Sequence, residues 1–159
     1  MSEIDRNPEH LFPAFREKIV QIIADMDAWT AIHLPSYKAA MAEGFRTTAR
    51  QKELYAQGRD KDGAVTDRKK TVTYKNGTTN PSNHQSGLAA DIAFERDGEL
   101  TWDVPDVAWA YLRHLAHVQG LVSGSDWQTF KDEPHIEWPT SDKATYQAAA
   151  KWRKQVGIV

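Results

Sequence analysis

Two short segments concentrate side chains able to hold a metal ion. In Ser82-Asn83-His84-Gln85-Ser86-Gly87-Leu88-Ala89-Ala90-Asp91, a loop histidine precedes an aspartate within an alternating run. Leu88, Ala90, Ile92 and Phe94 fall on one face of that run; Ala89, Asp91 and Ala93 fall on the other. The small neighbours leave space beside the Asp91 carboxylate, which makes it a poor core residue and a good ligand. In Asp132-Glu133-Pro134-His135-Ile136-Glu137-Trp138, the proline favours an extended entry, and His135 and Glu137 then share a face. Two histidines and an aspartate suit Zn²⁺ with a fourth position open, the arrangement of a catalytic site. The same set also suits Fe(II). A further carboxylate near the open position is a candidate general base for water, and Asp132 and Glu133 both qualify. Singly, each of these residues is ordinary: a lone histidine is usually a satisfied surface or core residue.

Composition narrows the chemistry. The 159 residues contain six histidines and no cysteine, which removes disulfides, cysteine-based zinc sites and a thiol nucleophile. A net charge of −2 argues against a generally basic nucleic-acid binder. No run approaches the length of a membrane span, and the charged start MSEIDRNPEHLF is unlike a signal peptide. The expectation is a monomeric protein made in the host cytoplasm, with neither membrane insertion nor nucleic-acid binding.

The elements that must position these groups read as α+β: one compact domain over 1–159, a small antiparallel sheet carrying the site and flanked by helices. Asn7 and Pro8 predict a helix start, and Leu11, Phe15, Ile19, Ile22, Met26 and Trp29 form its apolar face. Tyr37 to Phe45 is a candidate strand. Thr48-Ala49-Arg50-Gln51 reads as a capping box for a short helix ended by Gly58, with Gln51 in the capping role. Arg59 to Asn83 is polar, either a long loop or a small β excursion around an Asn76-Gly77 turn. Leu88 to Phe94 is a strand, and Asp97-Gly98 turns it into a return strand through Leu100 and Trp102. A helix opened by Asp103 and Pro105 runs to Gln119. His135 to Trp138 is a short strand, and Ser141 caps a last helix ending near Lys154. His114 and His117 lie three apart on a helix without an acidic motif in sequence, and read as structural.

Charge is uneven. Arg46 to Lys75 carries a net +5, leaving −7 on the remainder. This is either a solvated loop or a basic rim that draws an anionic polymer or a carboxylate-bearing substrate.

Ser82-x-His84-x-x-Gly87-x-Ala89-x-Asp91, followed by Asp132-x-Pro134-His135, resembles the LAS metallopeptidases, peptidase family M15. Glu43-Gly44-Phe45-Arg46-Thr47, Gln51 and Leu54-Tyr55-Ala56-Gln57-Gly58-Arg59 resemble the segment before the first ligand in its endolysin branch. Gly120 to Trp127 resembles the stretch before the last ligand. The resemblance implies a Hedgehog/DD-peptidase-like fold and one Zn²⁺ per chain held by His84, Asp91 and His135. It implies Asp132 as the catalytic carboxylate, with Glu133 a bystander. Arg46 would hold substrate and stabilise an oxyanion, and Ser82 would lie near the substrate or merely cap its loop.

The implied activity is hydrolysis of the peptidoglycan stem peptide. The first choice is an L-alanyl-D-glutamate endopeptidase acting as a phage or prophage endolysin, without a separate wall-binding domain and released to the wall after membrane permeabilisation. The alternatives are a D-alanyl-D-alanine carboxypeptidase and a non-catalytic zinc-bearing binding module. The intact Asp132 and Arg46 argue against the last.

Overall fold

Leu11, Phe15, Ile19, Ile22 and Met26 recur every three or four residues, and all five are fully buried in the computed structural model, which describes residues 2–159. Burying each such side chain contributes roughly 1.5–3 kcal/mol, so this stripe seats the long helix α1 (Pro13–His33). The helix starts later than the Asn7-Pro8 signal predicts. Asn7 caps only a 3-10 turn, Pro8–His10, by accepting from the Glu9 amide. Phe12 then donates its amide to the Gly87 carbonyl at 3.0 Å, which pulls the chain out of the helical path. Phe12 also precedes a proline and so favours an extended conformation, and α1 restarts at Pro13.

The sheet is antiparallel throughout. Its strands are β1 (Lys38–Glu43), β2 (Ala89–Arg96), β3 (Glu99–Thr101), β4 (Val122–Ser123) and β5 (His135–Glu137). The order is β1-β2-β5-β4, with β3 folded back on the far end of β2. The β2–β3 hairpin turns at Asp97-Gly98, both with positive φ (53° and 81°), as a type I′ turn requires. β4 carries no sequence signal of its own; it is two residues long and pairs with β5.

Alternation in β2 splits the sheet into two faces. Ala90, Ile92 and Phe94, with Ile136 of β5, pack into the core under α1 and α3 (Asp106–Val118). Asp91 faces the other way. Opposite it stand His135 on β5 and Glu43 on β1, and a bulge between Met41 and Glu43 sets the second pairing. The register thus brings three functional side chains onto one row of the open face.

Three helix starts differ from the sequence expectation. In α2 (Thr48–Ala56) the cap is Thr47, whose hydroxyl accepts from the Arg50 amide; Gln51 points inward instead. In α4 (Lys143–Val156) the cap is Asp142 rather than Ser141. Asp103 likewise leaves α3 without a side-chain cap. Residues 59–83 form an irregular loop with a single bridge, Arg59 to Val65. Gly77 has φ +83°, and Asn76 Oδ1 accepts the amides of Thr78 and Asn80, so the turn forms without flanking strands. Among the described residues no helix is long and apolar enough to cross a membrane.

Candidate metal centre

His84 reaches the open face from a 3-10 turn, Asn83–Ser86. Ser82 caps this turn in a reciprocal box with Gln85. Gly87 ends the turn in the left-handed region (φ 69°), where a Cβ would press on the His10 carbonyl oxygen at 3.2 Å. Leu88 then enters β2, and Asp91 follows.

Both histidine rings are oriented by their outer nitrogens. His84 Nδ1 lies 2.7 Å from the Gly44 carbonyl, which can only accept, so Nδ1 donates there and Nε2 faces Asp91. His135 Nε2 donates to Glu137 Oε2 at 2.7 Å, turning Nδ1 inward. His84 Nε2 and His135 Nδ1 lie 3.4 Å and 3.2 Å from Asp91 Oδ1. Metal–ligand bonds of about 2.0–2.1 Å at tetrahedral angles give ligand–ligand edges of about 3.3–3.4 Å. The two edges to Asp91 are close to that length, and all three ligand atoms lie within 4.8 Å of one another, so the set can close on a small cation.

The charges are strongly coupled. Burial alone would raise the pKa of Asp91, but His84 and the hydrogen bonds from both rings hold it well below the usual carboxylate range. Burial would lower the pKa of His135; bonds to Asp91 and Glu137 override it and carry it up to about 10. Glu137 is kept below its usual value, against its burial, by His135 and by Asn83, whose Nδ2 lies 2.8 Å away. Asp132 goes the other way: partial burial and the Asp91 charge raise its pKa.

The six residues singled out in the sequence meet here. His84, Asp91 and His135 line an open cleft of about 790 Å³ together with Arg46, Ser82 and Asp132; Glu133 does not line it. Asp132 sits on a tight turn, its amide donating to the Gly124 carbonyl and its carbonyl accepting from the His135 amide. A Cβ at Gly124 would collide with the Asp132 carbonyl oxygen, so only glycine fits there. Arg46 is buried. Its Nη2 lies 2.7 Å from Glu43 and 3.6 Å from Asp91, and its Nη1 donates to Gln51 Oε1 at 2.9 Å. Gln51 is anchored in turn by donating to the Lys75 carbonyl.

Glu43, Gln51 and Glu137 are the contributors that sequence reasoning missed. Glu137 had a signal, since alternation placed it on the face of His135. The basic segment also reads differently in three dimensions. Arg46 and Arg50 are absorbed by Glu43, and Arg59 donates to the Tyr55 and Thr73 carbonyls. His117 pairs with Asp126 at 2.6 Å, away from the centre, and His114 stacks near Tyr111.

Residues 76–138, which include every candidate ligand, match the family model described as D-alanyl-D-alanine carboxypeptidase, of the M15 peptidases. Over 105 residues, 61% of its length, the chain is 38% identical to the peptidoglycan L-alanyl-D-glutamate endopeptidase CwlK of Bacillus subtilis. Both matches are to M15-type peptidases, and the family model covers the part of the chain that carries the candidate ligands. The chain spans 58% of the length of CwlK.

Likeness of fold to solved structures extends over nearly the whole chain. The Serratia marcescens L-Ala D-Glu endopeptidase ChiX superposes with a TM-score of 0.55 at 20% identity, over 90% of this chain and 93% of ChiX. The vancomycin-resistance D,D-pentapeptidase VanY, solved in complex with Zn(II), superposes at 0.53 and 18% identity, over 89% and 76%. These likenesses establish the fold.

Proposed function

We propose that the chain is a zinc peptidase that cuts the stem peptide of peptidoglycan, at the L-alanyl-D-glutamate bond, in the role of a phage or prophage endolysin acting at the cell wall. The observation that carries the proposal is the convergence of His84 Nε2 and His135 Nδ1 on Asp91 Oδ1, at 3.4 Å and 3.2 Å, beside Asp132 in an open cleft. The 38% identity to an enzyme named for that bond supports the choice of bond.

In this reading His84, Asp91 and His135 hold one Zn²⁺, the two inward ring nitrogens giving up their protons in exchange for the metal, and with the carboxylate they are a donor set of the right softness and charge. Bound there, zinc would supply Lewis acidity, making a water acidic near neutral pH and polarising the scissile carbonyl. Asp132 takes the proton of the attacking water and returns it to the leaving amine. Its raised pKa suits a group that must both accept and donate. Arg46 is held rigid by Glu43 and Gln51, and its Nε–H is buried without a partner among the described residues. The guanidinium lines the cleft, placed to hold the substrate or the developing oxyanion. Ser82 Oγ, on the same wall, offers the substrate a further hydrogen bond.

A second reading is D-alanyl-D-alanine carboxypeptidase activity, favoured by the description of the matching family model. Digestion of purified peptidoglycan with the zinc-loaded protein, followed by mass analysis, separates the two. New N-terminal D-Glu supports the endopeptidase, and loss of single D-Ala residues supports the carboxypeptidase. Absence of any release contradicts both and favours a zinc-bearing binding module.

A further inference from the structure

Two loops far apart in sequence meet at the rim of the cleft, and each brings the same dipeptide pattern: Tyr74-Lys75 from one, Phe130-Lys131 from the other. The two aromatic rings pack edge to face, with centroids 4.9 Å apart and planes at 89°. Both rings nevertheless remain more than half exposed. Arg59 braces the back of this contact, its guanidinium 5.4 Å from the Tyr74 ring and its Nη2 on the Thr73 carbonyl. Phe130 adopts a left-handed backbone (φ 55°), a conformation that costs a non-glycine residue free energy and that is found where position matters.

The charge balance gives this wall its meaning. The cleft floor is acidic, with Glu43, Asp91, Asp132 and Glu137 against the buried Arg46. Arg46 is already compensated by Glu43 and Asp91. Even with a divalent cation in place, the floor does not attract a negatively charged peptide. Lys75 and Lys131 are the exposed cations on the cleft lining. Lys75 Nζ contacts only the neutral Asn80 side chain, and Lys131 forms no ion pair among the described residues.

We infer that Lys75 and Lys131, locked to one wall by the Tyr74–Phe130 contact, form a subsite for a free carboxylate of the substrate and make the protein selective for acidic over amidated peptides. The inference rests on the peptidase reading above. Single exposed charge pairs are weak, so two acting together give a preference of about five- to tenfold, which fades as salt screens them.

The test uses the zinc-loaded full chain and two synthetic stem peptides that differ only in a carboxylate or carboxamide on the acidic residue. The wild type is expected to favour the carboxylate peptide about five- to tenfold in kcat/KM, through KM, at low ionic strength. In the Lys75→Ala/Lys131→Ala variant, with an unchanged melting temperature, the ratio is expected to fall close to one. Equal use of both peptides by the wild type overturns the subsite while leaving the peptidase reading intact. So does a variant that keeps the wild-type ratio. Cleavage of neither peptide by the wild type overturns the peptidase reading and the subsite with it.

Discussion

Asp91 on β2 and His135 on β5 are direct cross-strand partners, and their facing atoms, Oδ1 and Nδ1, lie 3.2 Å apart. The sheet register therefore sets two of the three candidate ligands before any loop contributes. His84 completes the set from a capped turn whose Gly87 places the ring over the same row.

Glu137 holds the outer nitrogen of His135, and Asn83 holds Glu137. Glu137→Ala frees the ring to rotate and is expected to weaken zinc binding by about 10- to 100-fold, read by competition with a chelator. Glu137→Gln keeps an acceptor and is expected to fall between the two. Wild-type affinity in the alanine variant would show that the ring is held by other means.

Gly124 leaves no room for a Cβ against the Asp132 carbonyl oxygen. Gly124→Ala is expected to shift Asp132 and lower kcat by about 100-fold, while the zinc content stays at the wild-type level. Loss of zinc in parallel would mean that the substitution disturbs the ligands rather than the base.

Asp132→Asn removes the proton acceptor but touches none of the three candidate ligands. It is expected to retain zinc and to lose about 10²- to 10⁴-fold in kcat. Activity within a few-fold of wild type would move the base role elsewhere.

Acid sensitivity is expected at the start of α4. Hydrogen bonds from the Thr145 hydroxyl, the Trp138 indole and the Thr145 amide hold Asp142 below the usual carboxylate range. A depressed folded-state pKa contributes stability that is present above the unfolded value of about 3.9 and is lost as pH falls through the folded one. Melting temperatures of wild type and Asp142→Ala should differ at pH 7 and converge below about pH 4. A gap that persists in acid would mean that the cap acts without its charge.

The alternation in β2, the Asp97-Gly98 turn and the stripe of α1 were legible in sequence, because each depends on short-range periodicity or on a local φ requirement. His84, Asp91 and His135 were singled out by the two motifs and by the resemblance these carry, and the fold brings them together. The role of Gln51 was not legible. As a residue four positions into a capping pattern it reads as helix end chemistry, but its side chain links Arg46 to the Lys75 carbonyl. Such a bridge depends on the path of the 59–83 loop, which periodicity does not encode. The same loop shows why Asn76-Gly77 yields a turn without a hairpin. The carbonyls of Thr73 and Lys75, which a ladder would use, are taken by Arg59 and Gln51. The start of α1 was misplaced because the Phe12–Gly87 bond that interrupts it joins residues 75 positions apart.

His84, Asp91 and His135 together are expected to hold one zinc ion. The most direct measurement is the zinc content per chain of the purified wild type and of His84→Ala, after equal zinc loading and removal of free metal, with folding verified by circular dichroism. One zinc per wild-type chain and essentially none in the folded variant are expected. One zinc per chain in folded His84→Ala would contradict that ligand set.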